Sequence, residues 1–428
     1  MRSASLIIGL VPFQVALPIA RRQRPGMAYL ARILGTALGA VLLGGPALLH
    51  AQGRGGGPEA TIKPGEQCPP GMTEIRPLRC MAPQIPAPSI LDYRPRSTLV
   101  RVEHPVPRAK YPAIDFHGHP QNLLGSAEGL ATLKAAMDSL NIGLMIAAEN
   151  QSGERLTRTL ALVNASPLKG RVAVFTGLDL QNVGPGWKDR AVSRLEADLK
   201  AGAVGVGEIG KGFGQSTRKA DGSRLRLDDP ELDPIWDAAA RLGVPVFIHT
   251  GDPAEFYKPM DYQNERWLEL ALFPGRRIPE DQVPRFDSLM AERDNLFRRH
   301  PKTTFVAAHM GWQANDLARL GRLLDLPNVY TEVGAVLYDI GRQPRAAHDF
   351  FIKYQDRILF GKDSFQPEEY PYYWRVFETR DDYFDYYRDY HAFWKLYGID
   401  LPDEVLKKVY YKNALRITKG LPQAGWPR

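Results

Sequence analysis

The chain has 428 residues, of which 44% are hydrophobic and 24% are charged, and this balance excludes a disordered, a collagen-like or a polytopic membrane protein. Its 55 basic and 48 acidic side chains give a formal charge of +7. Residues 1–51 contain five arginines and no acidic residue, so 50 basic and 48 acidic side chains follow them, a charge of +2. A chain so near neutrality has no strong attraction for nucleic acid, and we expect no nucleic-acid partner.

The first 51 residues are predicted to be a signal peptide. Arg32 precedes an apolar run, Ile33–Leu49, and Ala51 ends a tolerable cleavage site. Met27 opens this pattern, so we interpret it as the true start. The run is 17 residues long, near the lower limit for crossing a bilayer, so an uncleaved anchor is the alternative. We expect an exported protein, periplasmic or extracellular, that does not contact the membrane after cleavage.

Residues 52–112 are predicted to be an extension rich in proline and glycine. Prolines at this density exclude helices and central strands, so we expect an extended conformation. Cys68 and Cys80 are the only cysteines of the chain. In an exported protein such a close pair predicts a disulfide that closes a small loop, and two free thiols are the alternative.

After Pro112, short apolar strands alternate with helical stretches. The predicted strands are Ala113–Phe116, Ile142–Ala147, Val172–Leu178, Val204–Ile209, Val244–Ile248, Thr303–Ala308, Val329–Thr331 and Ile358–Phe360. Helices are predicted near residues 127–140, 188–201, 231–242, 285–299, 314–325 and 345–354. Eight such units in about 250 residues predict an α/β fold, a (β/α)8 TIM barrel with the proline-rich N-terminal extension and additional C-terminal helices. The domain is expected to span 113–417, with a tail over 418–428, and a doubly wound open sheet is the competing fold.

Residues able to bind a metal follow the predicted strands. His117 and His119 lie two positions apart on the first strand, and period two places both imidazoles on one side. His249 ends the fifth strand and His309 the sixth, whereas the other five histidines lie in the predicted signal, extension, helices or loops. Barrels build their sites at the carboxyl ends of strands, so this pattern predicts a metal site.

With Glu208 after strand four and Asp363 after strand eight, the order His-x-His, Glu, His, His, Asp resembles the amidohydrolase superfamily of metal-dependent hydrolases. More narrowly, it is similar to the amidohydrolase-related branch that includes aminocarboxymuconate semialdehyde decarboxylase. The supporting motifs are Asp115–His119, Val244–His249, Thr304–His309, Ile358–Asp363 and Tyr410–Arg416. Two features depart from that branch. Lys362 stands where Thr or Ser is usual, and Gly207–Gly210 is more like the metal-dependent deoxyribonuclease branch.

The resemblance implies catalysis by a metal-activated water. His117, His119, His249 and Asp363 would hold one divalent ion, which lowers the pKa of bound water, and Asp363 would accept and return the proton. His309 would then be an acid or base beside the substrate. Zinc is the expected ion, and manganese or iron would also fit such a site.

The alternative arrangement holds two ions. Glu208 would then bridge the ions, with His249 and His309 on the second. Lys211 is the only candidate for the carbamylated lysine of some relatives, and it lies past the strand end. We favour one ion.

Two further residues are predicted to bind substrate. Arg266 is a candidate partner for a substrate carboxylate, or it pairs with Glu265 or Glu269 in a surface network. Trp312, just after His309, is a candidate wall of the pocket, and packing is the alternative. Glu332, after strand seven, is expected to support the metal ligands.

Three function classes follow from these residues. The leading hypothesis is a metal-dependent hydrolase acting on an amide, ester or lactone of a small molecule. The alternative is a nonoxidative decarboxylase of a small carboxylic acid, and the third class is a binding protein without catalysis. The aromatic stretch Glu378–Trp394, interpreted as helical, is a candidate homodimer surface.

Overall fold

The computed structural model describes residues 56–279, 281 and 283–427, so the predicted signal peptide lies outside the described residues. In the part of the chain that is described, no helix is both long and apolar enough to cross a bilayer.

The extension contains a small antiparallel sheet. Within residues 56–112 its strands are β1 (Glu59–Thr61), β2 (Thr73–Arg76) and β3 (Arg79–Met81), with β3 in the centre. Cys68 and Cys80 are joined by a disulfide, and Cys80 is buried. Residues 82–112 continue without helix or strand, as the proline density predicts. The expectation of no central strand is wrong for β3, because the prolines at 64, 69, 70 and 77 lie between the strands and not within them.

A parallel sheet forms the core of the domain. Its strands in residues 113–364 are β4 (Ala113–His119), β5 (Ile142–Gln151), β6 (Val172–Thr176), β7 (Val206–Ile209), β8 (Val246–Ile248), β9 (Phe305–Ala307), β10 (Val329–Glu332), β11 (Ile358–Leu359) and β12 (Asp363–Ser364). Each strand is parallel to the next along the chain from β4 to β11.

The last segment of this sheet closes the barrel. β11 pairs with β10, whereas β12 pairs with β4 through Asp363 opposite Gly118. The N–H of Phe116 donates to the carbonyl of Phe360 at 3.0 Å between these two pairings. β11 and β12 are therefore two halves of the eighth strand. The predicted (β/α)8 barrel is confirmed, and the open-sheet alternative is excluded.

Helices surround this barrel on its outer side. In the described residues the α-helices are α1 (Ala127–Leu140), α2 (Gly153–Asn164), α3 (Trp187–Ala201), α4 (Asp233–Leu242), α5 (Trp267–Leu272), α6 (Phe286–Arg299), α7 (Leu317–Leu324), α8 (Leu337–Arg342), α9 (Pro344–Lys353), α10 (Tyr370–Glu378), α11 (Asp403–Lys407) and α12 (Asn413–Ile417). α2 was not predicted, because its buried face is only Leu156, Thr159 and Val163, a weak apolar period.

The aromatic stretch after α10 was predicted to be helical, and this prediction is wrong. It forms two short paired strands, β13 (Phe384–Asp385) and β14 (Lys395–Leu396). Tyr383, Ala392 and Phe393 have φ of 52°, 41° and 65°, and this left-handed backbone interrupts a right-handed helix. Several of its rings contact the rest of the chain, and the homodimer stays a prediction.

The floor of the barrel lies directly beneath the predicted site. The ring of Phe116 meets two other rings edge to face, that of Phe175 at 5.3 Å and that of Phe247 at 5.7 Å between centroids. The ring of His117 lies on Phe247 at 4.6 Å. This apolar layer is fully buried and closes the barrel below the histidines, so polar chemistry is confined to the upper end.

Candidate metal centre

The carboxyl ends of the strands bring the predicted ligands together. His117 and His119 project from β4, and their Nε2 atoms are 3.1 Å apart. His249 follows β8 and His309 follows β9, and the Nε2 of His309 is 3.2 Å from the Nδ1 of His249. The ring centroids of His117 and His309 are 5.0 Å apart. Strand period and barrel closure together therefore gather all four histidines into one cluster.

Glu208 lies at the centre of this cluster. Its Oε2 is 3.1 Å from the Nε2 of His119 and 3.3 Å from the Nε2 of His117. Its Oε1 is 2.6 Å from the Nδ1 of His249 and 3.8 Å from the Nε2 of His309. One carboxylate thus reaches all four imidazoles.

Asp363 completes the cluster from the eighth strand. Its Oδ1 is 3.9 Å from the Nε2 of His117 and 3.8 Å from that of His119. Its side chain is 32% exposed, compared with 12% for Glu208, so Asp363 lies on the open side. Its φ of 76° is unusual for a residue other than glycine, and strained backbone of this kind concentrates at functional sites.

Groups outside the cluster fix two of the rings. The Nδ1 of His117 donates to Glu332 Oε1 at 3.0 Å, and the Nδ1 of His309 donates to the carbonyl of Gly334 at 2.8 Å. These bonds occupy the Nδ1 protons and turn each Nε2 toward the cluster. Metal-binding histidines are held in this way by a carboxylate or a carbonyl. The predicted supporting position of Glu332 is the one observed.

The backbone after β9 is bent so that His309 faces inward. His309, Met310 and Trp312 have φ of 57°, 50° and 52°, and Gly311 between them has 60°. The buried guanidinium of Arg293 donates to the carbonyl of Gly311 at 2.9 Å and holds this left-handed segment. Such a run costs free energy, which the surrounding contacts must offset.

Charges within the cluster shift its pKa values in opposite directions. Burial disfavours the charge on Glu208, but His117 and His249 outweigh it and hold the pKa of Glu208 well below its ordinary value. Burial also opposes a charge on His117, yet Glu208 and Glu332 raise its pKa well above the usual one. Burial, together with His249 and His117, lowers the pKa of His309 to about 4. His309 therefore keeps a free lone pair at neutral pH, whereas a metal ion that binds His117 would have to displace a proton.

The donor set fits a divalent metal ion. Among the described residues, His117, Glu208 and His309 form one group of converging ligand atoms, and His117, His119 and Asp363 form another. In each group the ligand atoms lie within 4.8 Å of one another. Imidazole nitrogens with carboxylate oxygens suit zinc, manganese and iron.

His249 lies differently from its predicted role as a ligand of the first ion. It belongs to neither group; its Nε2 donates to the carbonyl of Gly251 at 2.9 Å and its Nδ1 faces Glu208. The two groups share His117, whose Nε2 can bind only one ion because its Nδ1 donates to Glu332. A second ion would instead need Glu208 as the bridge, with His249 and His309 beside it.

Two lysines near the cluster lie outside it. Lys211 is 58% exposed and pairs with Asp252 at 3.3 Å, so its side chain does not enter the cluster. Lys362 is buried but pairs with Glu369, and its Nζ donates to the carbonyl of Ser364 at 3.2 Å. At the position before Asp363, where the related branch usually has Thr or Ser, this chain therefore has Lys362 in an ion pair with Glu369.

Trp312 forms one wall of the site. Its ring stacks on His309 with the centroids 4.4 Å apart, and its Nε1 donates to the carbonyl of Gly251 at 3.1 Å. The indole therefore covers one face of His309 and lies within reach of a substrate that approaches the cluster. Its position beside His309 agrees with the predicted wall, but a wall that contacts substrate stays a prediction.

Arg266 requires a correction, because its guanidinium is already occupied. It donates to Glu269 Oε2 at 2.7 Å, stacks over the ring of Tyr338 at 4.4 Å, and is 4% exposed. The pairing with Glu269 is therefore the observed contact, in the interior rather than in a surface network. Glu265 pairs with Arg342 instead. A buried arginine with a carboxylate partner is not free to bind a substrate carboxylate.

Three residues of the site were not singled out from the sequence. Glu149, on β5, has its Oε2 4.0 Å from the Nδ1 of His119. Asp115 accepts from the hydroxyl of Tyr370 at 2.6 Å and from the N–H of Lys362 at 3.1 Å, which ties the first strand to the eighth. A Cβ on Gly361 would lie 2.8 Å from the Cβ of His117. Asp115 and Gly361 lie inside the motifs of the first and eighth strands, and Glu149 lies near the carboxyl end of β5, which was the available signal.

Replacing Glu332 with glutamine should weaken metal binding about 10- to 100-fold. The amide keeps the size of the side chain but loses the charge that orients the Nδ1 proton of His117. Metal titration followed by calorimetry measures the effect, and Glu368→Gln, on an exposed turn, is the control. Equal affinities for the Glu332 variant and the parent would contradict this role.

Comparison with known proteins identifies the family of this chain. The amidohydrolase family model matches residues 159–417, which is more than half of the chain. Gamma-resorcylate decarboxylase of Rhodococcus jostii is 33% identical over 107 residues, covering 25% of this chain and 31% of that protein. The enzyme of the same name from Rhizobium radiobacter is 30% identical over 145 residues, covering 33% and 39%.

The match to this chain therefore covers only about three to four tenths of the length of these curated relatives. Among solved structures, an uncharacterized TIM-barrel protein of Bordetella bronchiseptica aligns with a TM-score of 0.45 and 15% identity, covering 72% of this chain and 99% of that one. The family match rests on the region that supplies Glu208, His249, His309 and Asp363. The chain belongs to the amidohydrolase family.

Proposed function

We propose that this protein is a metal-dependent, nonoxidative decarboxylase of a small aromatic carboxylic acid. The observation that carries the proposal is the identity of 30% over 145 residues with gamma-resorcylate decarboxylase. This similarity favours the decarboxylase, the alternative of the sequence analysis, over hydrolysis.

The cluster has the groups that such a reaction needs. His117 with His119 and Asp363, or with Glu208 and His309, would hold the divalent ion, which would supply a Lewis acid for the substrate carboxylate. Trp312 stacks on His309 and offers an indole surface beside the cluster for an aromatic ring. The phenylalanine floor keeps water from entering below.

Asp363 is the residue we assign to proton transfer. When carbon dioxide leaves, the electron pair of the broken carbon–carbon bond stays on the ring carbon, which must take up one proton. Asp363 is the most exposed carboxylate of the cluster, so it can receive a proton from solvent and pass it to that carbon. Burial tends to raise the pKa of Asp363, but the charge of His117 outweighs it and lowers the pKa below its ordinary value, so Asp363 is a carboxylate before it takes up each proton.

Release of carbon dioxide tests the proposal directly. The full chain, loaded with manganese or zinc, should release carbon dioxide from γ-resorcylate or another hydroxybenzoate, and Asp363→Asn should lower this rate at least about 100-fold. Metal content of the Asn variant distinguishes loss of the proton carrier from loss of the ion. No release from any hydroxybenzoate by the metal-loaded protein would contradict the proposal.

Hydrolysis remains the second candidate because of Glu208. This carboxylate reaches all four histidines, as a bridge between two ions would. The same preparation should be assayed on aryl esters and lactones. Turnover there, without carbon dioxide release from hydroxybenzoates, would favour the hydrolase.

We also propose that the protein acts outside the cytoplasm. The apolar run before Ala51 and the disulfide between Cys68 and Cys80 support export, because disulfides persist in oxidising compartments. Cell fractionation with detection of the mature N-terminus tests this. Recovery of the full-length chain in the cytoplasm with both thiols reduced would contradict it.

A further inference from the structure

Asp363 has a backbone conformation that the surrounding structure must hold. Its φ of 76° lies in the left-handed region, which costs free energy for a residue other than glycine. Its main chain pairs with Gly118, and Ser364 pairs with His119, so this conformation sets where the carboxylate lies relative to the histidines of β4. A strained residue persists only where its neighbours fix it, so the contacts around Asp363 identify what fixes it.

Lys362 binds the chain on both sides of Asp363. Its Nζ reaches past Asp363 and donates to the carbonyl of Ser364 at 3.2 Å, and its backbone N–H donates to Asp115 Oδ1 at 3.1 Å. Among the described residues the ammonium forms its ion pair with Glu369 and not with Asp363. Lys362 therefore acts on the backbone that carries Asp363 rather than on the carboxylate itself.

The start of α10 holds both ends of this arrangement. Glu369, directly before α10, pairs with the ammonium of Lys362, and Tyr370, its first residue, donates from its hydroxyl to Asp115 Oδ2 at 2.6 Å. The Oδ1 of Asp115 also accepts from the N–H of His117 at 3.1 Å. These contacts tie the eighth strand to the strand that carries the first histidine ligands.

The ammonium of Lys362 is removed from water and enclosed. Lys362 is 1% exposed, and its Nζ lies 5.8 and 5.7 Å from the centroids of the Tyr370 and Tyr373 rings. Aromatic faces attract a cation at this distance, and Glu369 supplies the counter-charge. An apolar pair of similar volume would often stabilise such a core at least as well, so stability alone does not account for these charges. An ammonium enclosed in this way is a fixed donor for the carbonyl of Ser364.

We propose that the buried pair of Lys362 and Glu369, called the Asp363 clamp, positions the carboxylate of Asp363 at the metal centre. The inference rests on the proposed function, in which Asp363 binds the ion and carries the proton. Asp363 forms a group of converging ligands with His117 and His119, which requires its Oδ1 close to both Nε2 atoms. The clamp fixes the backbone from which this carboxylate projects, so its two members are positioning residues.

Cobalt binding to the full chain tests the inference without any turnover. Cobalt accepts the same nitrogen and oxygen ligands as zinc, and its visible absorption depends on how those ligands are placed. Lys362→Met, which keeps the length of the side chain and removes the donor, should weaken cobalt binding about 10- to 100-fold and change the spectrum. Glu369→Ala, which leaves the ammonium without its counter-charge, should change both in the same direction. One titration followed by absorption gives the affinity and the spectrum together.

Three further variants separate positioning from a loss of folding. Glu369→Gln keeps an acceptor for the ammonium of Lys362 and should recover part of the affinity that Glu369→Ala loses. Glu368→Ala removes the exposed carboxylate next to it in the chain and should leave affinity and spectrum unchanged. The double variant, Lys362→Met with Glu369→Ala, should bind cobalt no more weakly than Lys362→Met alone, because the pair acts as one unit.

Several results would overturn the inference. One is the parent affinity and spectrum in Lys362→Met, and another is a lowered melting temperature with an unchanged spectrum, which marks a purely structural pair. Additive losses in the double variant would also contradict a pair that acts as one unit. If Lys362→Met does not fold, Glu369→Ala decides, because the Glu369 side chain is partly exposed. A folded Glu369→Ala with the parent spectrum would then overturn the inference.

The cobalt measurements also separate this inference from the proposed function. A spectrum that changes in Lys362→Met, without carbon dioxide release by the metal-loaded parent, would leave the inference standing and remove the decarboxylase. Carbon dioxide release that is equal in the parent and in Lys362→Met, with equal cobalt spectra, would do the reverse.

Discussion

Replacing His117 with alanine should lower metal content to background and reduce carbon dioxide release by more than about 100-fold. His117 belongs to both groups of converging ligands, so no complete group survives its loss. Its fully buried ring also sits on Phe247, and the smaller side chain leaves a cavity above the barrel floor. Metal content by mass spectrometry and initial rates measured on the same preparation check the prediction.

His348→Ala is a suitable control for this substitution. His348 lies on α9, where its Nδ1 donates to the carbonyl of Ile399 at 2.7 Å, and it belongs to neither group of ligands found among the described residues. It should retain both metal and activity. Full metal content in His117→Ala, with a parent-like melting temperature, would contradict the assignment of His117 as a metal ligand.

Replacing Glu208 with alanine should weaken metal binding at least about tenfold, and more than Glu208→Gln does. The carboxylate contacts all four imidazoles, and its negative charge balances the histidines around it. The amide retains an oxygen ligand without that charge, so the two variants separate coordination from charge. Metal titration at fixed pH measures both.

Two outcomes decide how many ions the cluster holds. Two equivalents in the parent that fall to one or none in Glu208→Ala indicate a bridging carboxylate and favour hydrolysis. One equivalent retained at parent affinity in Glu208→Ala would contradict a ligand role for Glu208. That result would instead favour the ligand set predicted from the sequence, in which His117, His119, His249 and Asp363 hold one ion without Glu208.

The sequence predicted the fold and the cluster because both depend on simple periodicities. Continuous apolar strands separated by helices specify a parallel sheet, and period two puts His117 and His119 on one side. Barrel closure then brings Glu208, His309 and Asp363 to the same end. None of these steps requires knowledge of a loop conformation, which explains why the ligands predicted for the site are close in space.

Residues on loops were harder to predict, because their contacts depend on a loop conformation that no sequence period indicates. Arg266 follows β8 by many residues, and whether its guanidinium meets a substrate or Glu269 depends on how the loop folds. The aromatic stretch Glu378–Trp394 was interpreted as helical, but left-handed residues such as Tyr383 break the helix, and nothing in the aromatic pattern indicates them.

Anomalous diffraction from crystals of the manganese-loaded protein tests the central claim most directly. The account predicts a peak between the carboxyl ends of β4 and the eighth strand, about 2.0–2.2 Å from His117 Nε2 and from carboxylate oxygens of Glu208 or Asp363. A second peak beside His309 would establish the two-ion arrangement. No peak at the cluster after loading, or occupancy only at surface carboxylates, would contradict the metal centre and the reaction proposed for it.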